Sequence, residues 1–416
     1  MIIVQKYHKV LHYKTFTKKQ LINKSIDVNY ILLKLRLMET EKFDYIICGG
    51  GASGMLLAYS LVSDSFFSNK KILLVEKDSK AINDRTWCFW EKGESELDHI
   101  VSKKWNSAIF KANNFKKQFE TSPYRYKLIR GIDFYNNFKG LKSKYNNLTY
   151  LNSEILKIDK ITNIITTDKG CFEGDLIFSS IFDASLIKNQ KKYPYLKQHF
   201  IGQLVETENE IFNPNVVTLM DFDILQENST RFIYVLPFSK TKALVEYTLF
   251  SSSLLEKEEY IKSIKNYLKN LNSGNYEVVE TEQGSIPMTA YKFKSGNTKN
   301  LLNIGTAGGW TKASTGYTFL NTVNKIKSLV SFLKKEKPLN EFDRNSRFWF
   351  YDLLFLDVLH KYNDKGILLF KTMFEKNDPE KIFKFLDNKT TILEELKLML
   401  TFKKKWFIQA LIKRLF

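Results

Sequence analysis

A glycine-rich stretch early in the chain has the residue types and spacing of a phosphate-binding turn. Gly49, Gly51 and Gly54 follow an apolar, β-branched run and precede a segment of small, helix-forming residues. The first glycine allows the tight turn, the second lets a pyrophosphate approach the backbone, and the third lets the helix pack on the strand. With Ala52 and Ser53, the turn would direct the unpaired N–H groups of a helix N-terminus at phosphate.

A second apolar strand is predicted shortly after this turn. It ends at Glu76, roughly 20 residues past the glycines, where an acid accepts a ribose hydroxyl in dinucleotide-binding domains. We therefore predict that Glu76 and its neighbour Lys77 contact a dinucleotide. The alternative is a glycine-rich turn in an α/β domain that binds no nucleotide.

The segment Asn83–Trp90 combines an arginine with two tryptophans, which is unusual for a solvent-exposed loop. We interpret it as a segment that crosses a flavin site, with Arg85 near phosphate or the isoalloxazine ring and Trp87 beside it. A packed aromatic turn is the alternative.

A second strand and turn with glycines, Asn300–Gly309, would bring backbone amides near the ribityl chain and the pyrophosphate. The stretch Trp310–Phe319 then opens a helix, whose N-terminus could face the flavin ring and stabilise negative charge there. The cofactor contacts predicted in this region are Gly305, Gly308, Gly309, Thr315 and Gly316.

The order of these elements predicts an α/β fold of the two-dinucleotide-binding-domain flavoprotein type. It would contain a Rossmann-type FAD-binding domain, an inserted antiparallel β-sheet substrate domain and a helical C-terminal region. The predicted boundaries are a basic extension at 1–42, the discontinuous FAD-binding domain at 43–197 and 289–330 (with a crossing segment at 81–125), the substrate domain at 198–288 and the helical region at 331–416. The extension is expected to be disordered or to precede the true start, for which Met38 is an alternative.

Charge, cysteine spacing and hydropathy indicate which partners and which cellular compartment suit this chain. The chain of 416 residues has a net charge of +19, spread along its length without a nucleic-acid-binding motif, so an anionic membrane surface is favoured over nucleic acid.

Cys48, Cys88 and Cys171 lack metal-binding spacing and indicate a reducing compartment, with neither disulfides nor a metal site. The chain has no apolar run of about 18 residues, so peripheral attachment is expected instead of a spanning helix.

Taken together, these motifs resemble the bacterial lycopene β-cyclases, which are flavin-dependent carotenoid cyclases. The similarity extends from about Lys42 to the end of the chain. It rests on Asp44–Gly54, Asn83–Trp90, Gln198–Gly202, Met220–Phe222, Leu244–Thr248, Gly284–Met288, Gly305–Tyr317 and the C-terminal run from Phe342 to Asp387.

The resemblance implies a non-redox isomerase, an intramolecular lyase that converts lycopene to γ-carotene and then β-carotene by acid catalysis. It also implies FAD in its reduced form and NAD(P)H as reductant. Because lycopene is insoluble in water and the chain has basic, aromatic helices, we expect a cytoplasmic enzyme attached to a membrane surface. Glu246 matches the family's acid, but Tyr247 stands where relatives often carry a second acid, which counts against a two-carboxylate mechanism. Tyr247, Tyr317, Arg85 and Trp87 are possible supporting residues.

Three other functions fit the same scaffold. They are an FAD-dependent monooxygenase, an isoprenoid double-bond reductase, and a non-catalytic lipid-binding protein with a vestigial nucleotide fold. The intact glycine turn and Glu76 speak against the third function. Cyclisation of one end and of both ends are equally compatible with these residues, as are NADH and NADPH.

Overall fold

The computed structural model describes residues 40–343 and 346–415. The predicted basic extension lies outside the described residues, apart from residues 40–42, of which the last two begin the first strand. In chain order, the strands are β1 (Glu41–Cys48), β2 (Ile72–Glu76), β3 (Thr86–Lys92), β4 (Lys103–Trp105), β5 (Ser107–Ala112), β6 (Phe115–Glu120), β7 (Tyr124–Arg130), β8 (Leu148–Asn152), β9 (Ile155–Asp159), β10 (Ile164–Thr167), β11 (Gly170–Ser179), β12 (Leu196–Thr207), β13 (Val216–Asp221), β14 (Thr230–Pro237), β15 (Lys242–Ser251), β16 (Tyr276–Met288) and β17 (Leu301–Asn303).

The helices fall between these strands and after the last of them. They are α1 (Ala52–Val62), α2 (Gly131–Lys139), α3 (Leu141–Lys144), α4 (Ser185–Lys188), α5 (Lys257–Asn270), α6 (Phe319–Leu333), α7 (Arg347–Lys361), α8 (Gly366–Lys376), α9 (Pro379–Leu386), α10 (Ile392–Met399) and α11 (Lys404–Leu415).

The first sheet carries the glycine-rich turn. Its strand order is β8-β2-β1-β11-β10-β9, and β17 pairs with the C-terminal part of β11. The pairs among β8, β2, β1, β11 and β17 are parallel. Ile46, Ile47 and Leu73 are fully buried, as expected for a parallel sheet covered on both faces. The turn after β1 therefore lies at the carboxyl edge of the sheet, where ligands of such sheets bind.

The second sheet has the order β16-β12-β15-β14-β13-β5-β6 and is antiparallel except for the parallel pair β13–β5. Its strands β5 and β6 lie within the predicted crossing segment, so the sheet uses residues outside 198–288. Side chains of β15 alternate between two faces, as in any strand. Val245 and Leu249 pack with residues of α5, while Leu244, Glu246 and Phe250 point to the opposite side.

A third, three-stranded sheet, β3-β7-β4, contains the arginine–tryptophan segment. Residues Thr86–Lys92 are therefore a strand and not an aromatic turn. The indole N–H of Trp90 donates a 2.8 Å hydrogen bond to Asp387, and its ring stacks on Phe383 with centroids 4.9 Å apart. This strand thereby joins the nucleotide-binding part of the chain to its C-terminal helices.

Helices α7 to α11 confirm the predicted helical C-terminal region and pack against the second sheet. Phe374 of α8 stacks on Phe110 of β5 at 4.4 Å between centroids. The last helix is held by Arg414, whose guanidinium donates to the buried carboxylate of Asp357 in α7 at 2.5 and 2.7 Å. These contacts place aromatic side chains of α8 and α9 over one face of the sheet.

Candidate active site

One cavity of about 600 Å³ connects the glycine-rich turn, the second sheet and the C-terminal helices. At one end it is lined by Gly51, Ala52 and Ser53, and at the other by Phe374 and Phe383. A single apolar cavity thus adjoins a phosphate-binding turn, as a site for a cofactor together with an elongated apolar ligand would require.

The glycine turn has the backbone that a dinucleotide needs. Gly49 has φ +98°, which favours glycine, and a Cβ on Gly54 would lie 1.9 Å from the carbonyl oxygen of Gly49. A Cβ on Gly51 would meet no described atom within 4 Å, because this residue faces the cavity. The first amides of α1 therefore remain accessible to a phosphate, and the residues present fit a bound dinucleotide.

Glu76 and Lys77 lie at the end of β2, where the sequence predicts the nucleotide contacts. The Glu76 carboxylate accepts hydrogen bonds from the backbone N–H of Gly50 at 2.6 Å and of Asp78 at 2.8 Å. Lys77 is exposed and pairs with Glu154 at 3.0 Å. The acid is thus fixed against the glycine turn, while the lysine pairs with a residue of the β8–β9 connection.

The second glycine stretch divides into residues that line the cavity and residues that do not. Gly305 lines it, has φ +59°, and sits so close to Ser53 that a Cβ would be 2.5 Å from the serine Oγ. A Cβ on Gly308 would lie 2.2 Å from the carbonyl oxygen of Asn303, and Gly309 packs beside Phe293 with φ +73°. The last two glycines therefore shape the turn that brings Gly305 to the cavity.

The loop before α6 is held in place by buried polar contacts. Lys312 pairs with Asp352 of α7 at 2.9 Å, and the Ser314 hydroxyl donates to the same carboxylate at 2.7 Å. Thr315 and Gly316 line the cavity, and a Cβ on Gly316 would clash with the side chain of Gln198 at 2.2 Å. Helix α6 begins only at Phe319, so this loop, not the helix alone, faces the cavity.

Glu246 is a buried carboxylic acid on the cavity face of β15. Only 8% of the residue is exposed, and the Thr248 hydroxyl donates a hydrogen bond to its Oε1. Burial raises the pKa of Glu246 to about 8, and the nearby Glu282 contributes in the same direction. At neutral pH this group is therefore largely protonated and able to donate a proton inside an apolar cavity.

Glu282 is a second cavity carboxyl that sequence reasoning missed. In the sheet, Gly202 of β12 is paired with Glu246 on one side and Glu282 of β16 on the other. Thr86 donates a 2.7 Å hydrogen bond to Glu282, and burial raises the pKa of this acid to about 7. Its sequence signal is weak because β16 is polar along most of its length, and only the strand register brings the two acids into one row.

Three tyrosine hydroxyls form a hydrogen-bonded group beside the acids. Tyr126 lies 2.5 Å from Tyr234 and 3.0 Å from Tyr317, oxygen to oxygen. Burial raises the pKa of all three well above the usual tyrosine range, so they are neutral hydroxyl groups at physiological pH. Tyr234 is directly opposite Glu246 in the β14–β15 ladder, and Trp90 contacts Tyr317 edge-on at 4.4 Å.

Arg85 and Trp87 both line the cavity. The Arg85 guanidinium is half exposed and pairs with Asp84 at 2.7 Å. The Trp87 ring packs on Phe319 with centroids 5.4 Å apart, so it forms part of the cavity wall between the glycine turn and the start of α6. Cys88, which follows on the same strand, has its thiol pKa raised by burial.

Tyr247 lies on the other face of the second sheet. Its side chain is buried among residues of β12, β14 and α5, and its hydroxyl accepts a 3.1 Å hydrogen bond from Arg231. It does not line the cavity, because successive side chains of a strand point to opposite faces. This geometry gives no support to a direct role for Tyr247.

Comparison with known proteins identifies relatives of this chain. A family model described as lycopene cyclase protein matches residues 44–411. Over 291 residues the chain is 23% identical to the lycopene beta-cyclase of Pantoea ananas, a match that spans 66% of this chain and 71% of that protein.

Solved structures extend the likeness to the fold. A geranylgeranyl bacteriochlorophyll reductase-like protein from Thermoplasma acidophilum is 12% identical, with a TM-score of 0.54 over 89% of this chain and 96% of that one. Tryptophan halogenase from Shewanella frigidimarina is 13% identical, with a TM-score of 0.54 over 88% of this chain and 84% of that one. The predicted flavoprotein fold class is confirmed.

Proposed function

This chain belongs to the lycopene cyclase family, and from that premise we propose that it is a lycopene β-cyclase. It would close the linear ends of lycopene into β-ionone rings, giving γ-carotene and then β-carotene, with no net transfer of electrons. Closing one ring requires one proton to be added to a terminal alkene and one proton to be removed from the new ring.

The observation that carries the proposal is the buried acid Glu246 in an apolar cavity that also reaches the glycine turn. Alkenes are very weak bases, so their protonation needs a carboxylic acid that stays protonated at neutral pH. Desolvation does this by disfavouring the carboxylate. The pKa of about 8 for Glu246 fits a general acid that works near neutrality.

The other cavity residues supply what a carbocation requires. Aromatic rings of Trp90, Phe200 and Phe250 line the cavity. Apolar walls of this kind limit the access of water, and aromatic rings can stabilise a nearby positive charge. Burial raises the pKa of the Tyr126, Tyr234 and Tyr317 hydroxyls, so they are much weaker acids than Glu246 and do not compete with it as the proton donor.

We propose FAD as the cofactor, held by the glycine turn, Glu76, Arg85 and the loop from Gly305 to Gly316, with NAD(P)H as the external reductant. When bound in its reduced form, the flavin would supply a negative charge that stabilises the positive charge of ring closure. The protein's part is to bind it beside the apolar cavity and to exclude water from the acid.

We also propose that the protein works on a membrane surface, through the outer face of α10 and α11. Helix α10 buries Glu395, which accepts hydrogen bonds from Arg347 at 2.7 and 2.9 Å. The same helix exposes Leu393 at 72%, and Leu400, directly after it, is 63% exposed. This inverted polarity, with acid inside and leucines outside, is typical of a surface that contacts an apolar medium.

The neighbouring helix α11 continues this surface. It exposes Ile408, Ile412 and Leu415, which recur at helical spacing, and Lys403, Lys404 and Lys405 precede or begin it. Basic residues beside exposed apolar ones suit a bilayer with anionic lipids. In the part of the chain that the structure describes, no helix has the length and hydropathy to cross a bilayer.

Expression in lycopene-accumulating cells, with pigments separated by chromatography, tests the proposed activity. We expect cyclised carotenoids of unchanged mass from the wild type, and lycopene from Glu246→Gln carrying the same amount of flavin. A product heavier by oxygen or by two hydrogens would instead indicate a monooxygenase or a reductase. Equal turnover by Glu246→Gln and the wild type would place the acid elsewhere.

A further inference from the structure

Two carboxyl groups, not one, face the cavity from the same row of the second sheet. Glu246 and Glu282 stand on strands that flank β12, and the residue between them is Gly202. Neighbouring strands are about 4.8 Å apart, so the Cα atoms of the two acids are separated by about 10 Å. Because glycine has no side chain, the side chains of the two acids and of Leu244 can approach one another across Gly202.

The surroundings of the two acids differ. Glu246 is on a central strand, is 8% exposed, and its described hydrogen-bond partner is Thr248. Glu282 is on the edge strand and is more exposed than Glu246. Burial and the charges of Glu280 and Asp84 disfavour its ionised form, whereas the hydrogen bond from Thr86 and the charge of Arg85 favour it. When the pair holds a single proton, these differences put the proton on Glu246 and the charge on Glu282.

Resting on the proposed function, we propose that Glu282 is a second catalytic residue, the carboxylate that accepts the proton released by ring closure while Glu246 donates the incoming one. In the first step, the O–H bond of Glu246 breaks and a C–H bond forms at the terminal alkene. The next alkene then forms the ring C–C bond. In the last step, an allylic C–H bond breaks and an O–H bond forms on Glu282.

With these two roles, the protons and charges of the reaction balance. One proton enters the substrate and one leaves it, no electrons are exchanged, and the pair carries one proton and one negative charge before and after each ring. Only the position of the proton must be reset, by return from Glu282 to Glu246. While Glu282 is ionised, its charge also favours the cation that forms between the two acids.

The polar and titratable side chains around this pair come from several elements of the fold. They are Asp84, Arg85, Thr86, Cys88, Tyr126, Tyr234, Thr248, Glu280 and Tyr317. The tyrosines and the cysteine stay neutral because burial raises their pKa values. Arg85 is paired with Asp84, and Glu280 with Arg130 at 2.6 Å.

The test compares Glu282→Gln with Glu277→Gln, which makes the same change at an exposed position of the same strand. We expect Glu282→Gln to keep its flavin and to lose about 100-fold or more in turnover, the range of a general base. Its pH profile should change in two ways. The acid limb, set by protonation of Glu282, should disappear, and the alkaline limb, set by Glu246, should move to lower pH because a neighbouring negative charge is gone. Glu277→Gln should match the wild type in both.

An infrared titration without substrate separates this inference from the proposed activity. The protonated carboxyl band of Glu246, assigned by its loss in Glu246→Gln, should disappear at lower pH in Glu282→Gln than in the wild type. An unchanged titration together with unchanged turnover would overturn the pairing. A wild type that cyclises nothing would refute the proposed function, while the titration would still decide whether the two acids are coupled.

Discussion

Gly202 lies directly opposite Glu246 in the β12–β15 ladder, and it lies opposite Glu282 in the β12–β16 ladder. A Cβ at this position would be 3.5 Å from the Cβ of Glu246 and 3.3 Å from the Cγ of Glu282. The absence of a side chain here thus sets how closely the two acids can converge on a ligand.

Filling the space at Gly202 should therefore separate the acids. We expect Gly202→Val to retain flavin and to lose about 100-fold in turnover, since a displacement of about 1 Å at a reacting group has that effect. Gly202→Ala should lose less, because its Cβ needs a shift of only a few tenths of an ångström. Gly140→Ala is the control, as a Cβ there meets open space. Wild-type turnover by Gly202→Val would show that the spacing of the acids is unimportant.

Replacing the buried acid should stabilise the protein while it stops turnover. The pKa of Glu246 rises from 4.5 to about 8 on folding, so between these pH values the folded chain keeps a proton that the unfolded chain has released. The free energy of unfolding then falls as pH rises through this window. We expect Glu246→Gln to gain more than about 1 kcal/mol in stability at pH 8.5 and little at pH 4. Denaturant melts at the two pH values measure this, and an equal gain at both would contradict the assigned shift.

Two glycines of the phosphate turn should fail in different ways when changed to alanine. At Gly51 the added methyl group meets no protein atom and extends into the cavity, so we expect a stable protein with weakened flavin binding. At Gly54 the methyl group would lie 1.9 Å from a backbone oxygen, so we expect a loss of both stability and flavin. Flavin absorbance and thermal melting separate the two outcomes. Unchanged flavin affinity in Gly51→Ala would mean that phosphate does not lie at this turn.

Membrane binding should depend on the exposed leucines of α10 and on Leu400, which follows it. We expect the triple change of Leu393, Leu396 and Leu400 to Ser to lower flotation with anionic liposomes at least fivefold while flavin content is kept. Binding of the wild type should also weaken with salt and with neutral lipid, because the lysines act electrostatically. The matched control replaces Leu156, Ile161 and Leu225, which are at least as exposed as a set but lie elsewhere. A comparable loss in the control would make the effect one of general hydrophobicity.

Much of this architecture could be predicted from local sequence. The predicted antiparallel sheet is present in β12, β13, β14 and β15, four strands that are rich in apolar residues. The glycine turn is a local property because its geometry depends on three positions in one short segment. The resemblance added Glu246, and the structure places this residue on the cavity face.

The parts that could not be predicted are those that depend on register and packing. Glu282 joins the site because β16 pairs with β12 at one particular offset, which no local pattern specifies. Trp406 and Phe407, aromatic residues beside lysines of the kind found at membrane interfaces, pack partly against the helical core, and the exposed apolar residues of α11 are aliphatic. Tyr247 follows Glu246 in the sequence, but successive side chains of a strand point to opposite faces of the sheet, so Tyr247 lies on the side away from the cavity.

The hydrogen bond between Trp90 and Asp387 joins residues that are 297 positions apart and are therefore synthesised at different times. The glycine turn, the arginine–tryptophan strand and both acids leave the ribosome long before α9, whose Phe383 forms the far wall of the cavity. Until α9 is synthesised, we therefore expect a pocket that is open on its apolar side. A premature stop codon after Leu359 would give a polypeptide that has every cofactor-binding segment and both carboxylates, but no enclosed chamber in which to use them.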